Sequence, residues 1–276
     1  MKRILTTVVL LPIALAAVFY LPSLWFWVFA VALVEVAVWE CVGITRRWAP
    51  TSPRLLLLVT VPSASALLGA ALWEGVLPET SWSYLLGLLL LLSVGSGVLA
   101  LLARTPVDET IAALGVLGWG TAYFSVAAAS LWALQLMGPR VLLLLLAVVW
   151  IGDSAAYYVG KAIGRHSLAP VASPNKTWEG SVASLIASLA AASIWSLLVL
   201  DDVRWSLVLV AAVAGVMGQF GDLVESMVKR GAGVKDSGSL LPGHGGMWDR
   251  LDALLFAAPT LLLGLWLMGF DAGALR

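Results

Sequence analysis

The chain has 276 residues, of which 61% are hydrophobic and 12% are charged, and its formal net charge is zero. Soluble domains carry about 25% charged residues, so this composition excludes a water-soluble protein and indicates one that crosses a membrane several times. The net charge gives no sign of a nucleic-acid partner, and none is expected. Cys41 is the only cysteine, which excludes an internal disulfide and a cysteine metal site.

Nine stretches are apolar and about as long as a membrane-spanning helix. They lie at 4–20, 23–42, 54–73, 82–103, 109–136, 140–160, 178–200, 204–230 and 249–270. Helices are predicted because a helix satisfies its own backbone hydrogen bonds in lipid and strand-like alternation is absent. The chain is therefore predicted to be an all-α, polytopic integral membrane protein with nine transmembrane helices.

Two of these stretches carry further signals. The first follows Lys2-Arg3 and resembles a secretory signal, but the spans after it favour a retained transmembrane helix. The fifth is long and contains Gly115, Gly118 and Gly120, so we expect it to be tilted or broken.

The distribution of positive charge predicts the orientation. With the N-terminus in the cytoplasm, three of the 16 Lys and Arg residues fall outside: Arg140, Arg204 and Arg276. Short cytoplasmic loops carry the excess of Lys and Arg. The chain is therefore predicted to be N-in and C-out, with loops 161–177 and 229–250 facing the cytoplasm.

The eighth span ends in a dense group of charges. At 100° per residue, one arc of this helix contains Asp222, Glu225, Ser226, Lys229 and Arg230. Pairing within the helix, from Glu225 to Lys229 and from Asp222 to Ser226, accounts for part of this arrangement. Charge near a membrane is costly unless it is paired, hydrated or bound to ions, so a ligand is the alternative account.

The loop after this helix has the composition of an anion-binding segment. Its glycines allow backbone N–H groups to approach phosphate closely, and His244 lies among them. Asp249 and Asp252 follow on one face of the ninth span. Mg²⁺ prefers carboxylate oxygens together with substrate phosphates, so the region predicts metal-assisted phosphoryl or nucleotidyl transfer. The chain contains no Walker phosphate loop.

A second charged region covers residues 152–180. Asp153 lies near the inner end of the sixth span, and Ser173-Pro174 is predicted to begin a helix. Lys176 would then lie in the first helical turn, where a cation opposes the helix dipole and calls for an anion. In the second span, Glu35 has no assignable role, and Glu40 is near enough in sequence to pair with Arg46 or Arg47.

These residues resemble a known family. Residues 226–252 closely resemble the signature of bacterial phosphatidate cytidylyltransferases, with the pattern Ser-x-x-Lys-Arg, Lys-Asp-x-Gly, His-Gly-Gly and Asp-Arg-x-Asp. The matching positions are Ser226, Lys229, Arg230, Lys235, Asp236, Gly238, His244, Gly245, Gly246, Asp249, Arg250 and Asp252. Residues 152–180 resemble the family's second characteristic region, and Trp39-Glu40 is also similar to the family.

The resemblance implies an activity and a location. CTP and phosphatidic acid would give CDP-diacylglycerol and pyrophosphate with Mg²⁺, at the cytoplasmic face of a bacterial inner membrane. K⁺ beside the Mg²⁺ and a homodimer are implied in the same way. The expected organisation is one membrane domain, 1–276, with N-terminal spans in 1–140 and catalytic spans in 141–276.

Residue roles follow from the resemblance and from the charges. Asp222 and Asp249 match the family's metal carboxylates, and Asp153 and Asp252 are expected as further ligands. The predicted catalytic residues are Asp222, Asp249, Lys229, Arg230, Lys235 and His244. The residues expected to bind substrate phosphates are Lys176, Ser226, Lys229, Arg230, Lys235, Gly245, Gly246 and Arg250.

Other functions remain open from the residues alone. The D-G-x-x-A-R pattern of CDP-alcohol phosphotransferases is absent, and the adjacent aspartates Asp201-Asp202 do not continue into the D-D-x-x-D of prenyltransferases. An ion-coupled transporter could use Asp153, Asp222 and Glu225. Against this, the charges gather at one membrane face rather than at the midplane, and no inverted repeat is evident.

Overall fold

The structure is a computed structural model that describes residues 2–48, 50, 54–73, 98, 106–240, 243 and 245–270. Its helices are α1 (Lys2–Tyr20), α2 (Ser23–Thr45), α3 (Arg54–Trp73), α4 (Thr110–Met137), α5 (Pro139–Ile163), α6 (Trp178–Leu200), α7 (Trp205–Gly231) and α8 (Trp248–Leu267). A 3₁₀ turn, Val107–Glu109, precedes α4, and two short strands, β1 (Ser167–Ala169) and β2 (Ser173–Thr177), separate α5 from α6.

Six of the described helices are long and apolar enough to cross a membrane: α2, α4 with its 3₁₀ turn, α5, α6, α7 and α8. The chain is thus a helical, multi-pass membrane protein. The predicted count of nine spans is not confirmed, and the predicted span 82–103 lies outside the described residues apart from Val98. Of the two alternatives for the fifth span, the break is wrong, because α4 runs without interruption through its glycines, and the tilt stays a prediction.

The chain divides into two compact units. Unit 1 contains Met1–Ile13, Pro22–Ala133 and Ala232–Leu251, and unit 2 contains Ala14–Leu21, Leu134–Gly231 and Asp252–Arg276.

In unit 1, α2, α3 and α4 provide a buried core that includes Val38, Val61 and Phe124. Hydroxyl groups add polar contacts between α3 and α4: the hydroxyls of Thr60 and Thr121 lie 3.0 Å apart, and the Ser125 hydroxyl donates to the Val61 carbonyl at 3.2 Å. Van der Waals packing of the apolar core side chains and these polar contacts together hold the helices in place.

In unit 2, α5, α6 and α7 pack on one another through small residues. The Ser188 hydroxyl on α6 donates to the Val148 carbonyl on α5 at 3.2 Å. A Cβ atom added to Gly215 on α7 would lie 2.7 Å from Ser188 Oγ and 2.9 Å from Val148 Cγ1. The missing side chain therefore permits close helix approach, as small residues commonly do in membranes.

The segment between α5 and α6 differs from its prediction. Residues Ser173–Thr177 form β2, which pairs antiparallel with β1, so Ser173-Pro174 does not begin a helix. The N-cap of α6 is Thr177, whose hydroxyl accepts from Gly180 N at 3.1 Å. The prediction was therefore wrong, and the helix begins four residues later than expected, because pairing with β1 holds residues 173–177 in an extended conformation.

Candidate active site

Three carboxylates of unit 2 form an acidic cluster. Asp222 and Glu225 lie on α7 and Asp252 lies on α8, and each offers an oxygen within 4.8 Å of the others. Glu225 is fully buried, while Asp222 and Asp252 are partly exposed. Gly221 allows α8 to approach here, because a Cβ atom at this position would overlap the Asp252 carbonyl.

Two lysines offset the negative charge of this acidic cluster. Lys176 Nζ lies 2.6 Å from Asp222 Oδ2, and Lys229 Nζ donates to Glu225 Oε2 at 2.7 Å. Ser226 Oγ donates to Asp222 Oδ1 at 3.3 Å. Both predicted pairs within the helix are therefore confirmed. Lys176 comes instead from β2, where it pairs with Asp222.

The acidic cluster has the chemistry of a hard-cation site. Three carboxylates this close repel one another unless a positive charge lies among them, and oxygen ligands suit Mg²⁺. Two of the four predicted metal ligands, Asp222 and Asp252, lie in the cluster, and the structure adds Glu225. Asp153 is exposed on α5. The carboxylate set fits a divalent ion.

A second network, in unit 1, holds the glycine-rich loop. Asp249 Oδ2 accepts from Gly246 N at 2.7 Å and from Ser237 N at 2.9 Å. Glu40 on α2 accepts from Met247 N at 3.0 Å and from Trp248 N at 2.9 Å. The first backbone N–H groups of α8 are thus satisfied by side chains from outside that helix.

The Ser237 hydroxyl lies between the two carboxylates of this network. Its oxygen is 2.8 Å from Glu40 Oε2 and 3.0 Å from Asp249 Oδ2, and it accepts from Asp249 N at 3.3 Å. A serine has one hydroxyl proton and therefore donates to one carboxylate at a time. We call the residues joined by these bonds the loop network: Glu40, Ser237, Gly246, Met247, Trp248 and Asp249.

Glycine is required within this loop for two reasons. Gly245 has a φ of +78°, which L side chains rarely adopt. Gly246 has no room for a Cβ atom, which would overlap Glu40 and Ser237. Backbone N–H groups held in such turns can face an anion.

The remaining predicted residues are placed as follows. Arg230, Lys235 and Arg250 are exposed, as cations that bind a substrate phosphate would be. His244 lies outside the described residues. The structure does not test their roles or the expected metal ligation by Asp249, which remain predictions.

Sequence reasoning missed two residues. Glu225 was placed on the correct helix face but not among the ligands, although its i, i+3 spacing from Asp222 was a sufficient signal. Glu40 was considered a partner of Arg46 or Arg47. Arg47 instead donates to the Ala232 carbonyl at 3.2 Å, and Glu40 reaches the loop network. Nothing in the local sequence indicated a contact over 197 residues.

Comparison with known proteins identifies the family. A sequence model of the cytidylyltransferase family matches residues 1–268. The chain belongs to the cytidylyltransferase family.

The chain is similar to several curated proteins named phosphatidate cytidylyltransferase. The protein of Staphylococcus saprophyticus is 43% identical over 141 residues, covering 51% of this chain and 54% of the relative. That of Brucella suis is 43% identical over 152 residues, covering 53% and 56%. That of Staphylococcus epidermidis is 46% identical over 125 residues, covering 45% and 48%. The chain spans about half the length of the curated relatives it matches.

Proposed function

We propose that this protein is a phosphatidate cytidylyltransferase, which converts CTP and phosphatidic acid into CDP-diacylglycerol and pyrophosphate. The observation that carries the proposal is the acidic cluster with its two lysines, in a chain of the cytidylyltransferase family. The names of the bacterial relatives supply the substrates.

The reaction needs little covalent work from the protein. An oxygen of the phosphatidate phosphate attacks the α-phosphorus of CTP and forms a new P–O bond. The bond from the α-phosphorus to the oxygen that bridges to the β-phosphate breaks, and pyrophosphate leaves with that electron pair. Catalysis is then a matter of bringing two polyanions together in line and neutralising their charge.

We assign Asp222, Glu225 and Asp252 to a Mg²⁺ ion, with Asp249 and Asp153 still proposed as further ligands. Bound by these carboxylates, Mg²⁺ would neutralise charge on the phosphate oxygens. K⁺ is proposed as a second cation, as the family resemblance implies.

The cations and the loop are assigned to the substrates. We propose that Lys176 and Lys229, which donate to the acidic cluster in the structure, turn to substrate phosphates when a metal ion neutralises the carboxylates. Arg230, Lys235 and Arg250 add exposed positive charge, and Ser226 adds a hydroxyl donor. The glycine-rich loop, including Gly245 and Gly246, offers backbone N–H groups to the CTP triphosphate, and His244 is proposed to reach the same substrate.

The membrane arrangement is part of the proposal. Nine spans with the N-terminus inside and the C-terminus outside place loops 161–177 and 229–250 at the cytoplasmic face of the bacterial inner membrane. CTP reaches that face from the cytosol, and the phosphatidate headgroup lies at the same interface with its chains in the bilayer. A homodimer is proposed from the family resemblance.

Pyrophosphate release by the purified protein tests the function. Detergent-solubilised protein, supplied with lipid and K⁺, is expected to release pyrophosphate only when CTP, phosphatidic acid and Mg²⁺ are all present. Omitting any one of the three is the control. Release without phosphatidic acid, or no release from folded protein with all three, would refute the proposal.

A further inference from the structure

Glu40 is a buried carboxylate of α2 that connects to the glycine-rich loop through three donors. It is 9% exposed. Its Oε1 accepts from Met247 N, and its Oε2 accepts from Trp248 N and lies 2.8 Å from Ser237 Oγ. The sequence had suggested only that this residue could pair with Arg46 or Arg47.

The two backbone donors at the start of α8 explain why an acid is needed at position 40. Met247 and Trp248 stand at the N-terminus of α8, where backbone N–H groups lack partners within the helix. A carboxylate also complements the positive end of the helix dipole. Glu40 therefore caps α8 from a different span.

The glycines of the loop fit the same side chain. A Cβ atom on Gly238 would lie 2.5 Å from Glu40 Oε1 and 2.9 Å from its Cδ, and one on Gly246 would overlap Glu40 Oε2. The Gly238 backbone does not have the positive φ that by itself would demand glycine. Glycine at position 238 is thus explained by the presence of the Glu40 carboxylate.

We propose that Glu40 is a positioning residue that fixes the glycine-rich loop in its phosphate-binding conformation. It acts through Ser237, Met247 and Trp248 and does not itself contact substrate. The inference rests on the proposed function only where it names CTP as the ligand of the loop. The connection between Glu40 and the loop stands whatever the reaction is.

The first experiment measures the loop directly, by hydrogen–deuterium exchange of the full-length protein in detergent. In Glu40→Gln, one carboxylate oxygen becomes an NH₂ group, which cannot accept a hydrogen bond. The amide hydrogen of Met247 or of Trp248 is expected to exchange at least about tenfold faster than in the wild type. Asp108→Asn, which removes an exposed carboxylate of the same unit, is expected to leave both amides unchanged.

The second experiment separates positioning from a general loss of folded protein. Glu40→Gln is expected to raise the KM for CTP at least about fivefold while the KM for phosphatidic acid changes less than about twofold. A merely structural role would lower the active fraction, so that kcat falls and both KM values stay the same.

Gly238→Ala provides a second variant that keeps Glu40 chemically intact. Its methyl group is expected to displace the carboxylate and to raise the KM for CTP in the same way. Gly115→Ala is the matched control, because nothing lies within 4 Å of a Cβ atom there.

The outcomes of these experiments separate the two proposals. Unchanged exchange at Met247 and Trp248, or unchanged KM values in both variants of an active enzyme, would overturn the role of Glu40. A wild-type protein that does not use CTP would refute the proposed function, and the exchange experiment would still decide whether Glu40 holds the loop.

Discussion

At the scale of single residues, the acidic cluster leads to a test of metal binding. Glu225→Gln and Asp252→Asn keep the shape of the side chain but remove a carboxylate charge. Each is expected to weaken the apparent affinity for Mg²⁺ at least about tenfold, because loss of even an indirect metal partner costs that much. The measurement is a Mg²⁺ titration of pyrophosphate release.

Asp201→Asn is the control for these variants. Asp201 is exposed at the end of α6 with a φ of +55°, a conformation that asparagine also adopts. Its Mg²⁺ titration should match the wild type. A Glu225→Gln enzyme with unchanged Mg²⁺ dependence would remove Glu225 from the metal site.

Glu35 makes a contrast with Glu40 on the same helix. Both carboxylate oxygens of Glu35 are buried without a hydrogen-bond partner among the described residues. A buried polar group without a partner costs about 1–3 kcal/mol of stability, and an apolar side chain of similar length removes this cost. Glu35→Met is therefore expected to raise the midpoint temperature of thermal unfolding in detergent, whereas Glu40→Met, which abandons three donors, is expected to lower it. A lower midpoint in Glu35→Met would contradict this account.

Two contacts, one in the acidic cluster and one in the loop network, show how far side-chain contacts can be predicted from sequence. Asp222 and Ser226 are four residues apart on one helix, so their contact follows from helix periodicity alone. Glu40 lies 197 residues before Ser237, and contacts over such a distance depend on how whole helices pack. The α7 part of the acidic cluster was therefore predictable, whereas the approach of Asp252 on α8 and the loop network were not.

At the scale of helices, the small-residue packing in unit 2 predicts a steric effect. Gly215→Leu would place a branched side chain against Ser188 and Val148. A Cβ atom at position 215 alone would already lie too close to both residues. Overpacking of this kind costs about 1–3 kcal/mol or more. The midpoint temperature of unfolding in detergent should fall by several degrees.

Gly115→Leu on α4 is the matched control. It makes the same change where the structure leaves open space, so the midpoint should stay near that of the wild type. Equal midpoints for the two variants would show that the Gly215 approach does not contribute to stability.

Helix positions were predicted better than helix interruptions. The predicted spans 54–73 and 178–200 coincide with α3 and α6, because apolar length alone marks them. The β1–β2 hairpin was missed, since its short strands lie in a charged segment without alternating apolar residues. The break at the α4 glycines, one of the two predicted alternatives, was also wrong, because glycine lowers helix propensity but does not forbid a helix inside a packed membrane domain.

At the scale of the whole molecule, the predicted orientation can be tested by cysteine labelling. Cys41 is 2% exposed, so the native protein should react little with a membrane-impermeant maleimide. Asp202→Cys, between α6 and α7, is expected to be labelled in intact cells. Arg165→Cys, after α5, is expected to be labelled only once the membrane is permeabilised. The reverse pattern would invert the N-in and C-out topology and move the proposed site to the outer face.

The central claim is the transfer of a cytidylyl group to a lipid phosphate, and the fate of the CTP phosphorus atoms tests it most directly. Purified protein is incubated with phosphatidic acid, Mg²⁺ and CTP that carries ³²P at either the α or the γ position. Phosphorus from the α position is expected in the chloroform-extracted lipid, and phosphorus from the γ position in released pyrophosphate. Transfer of the γ-phosphorus to lipid would show a kinase instead. Absence of labelled lipid with both forms of labelled CTP would contradict the account.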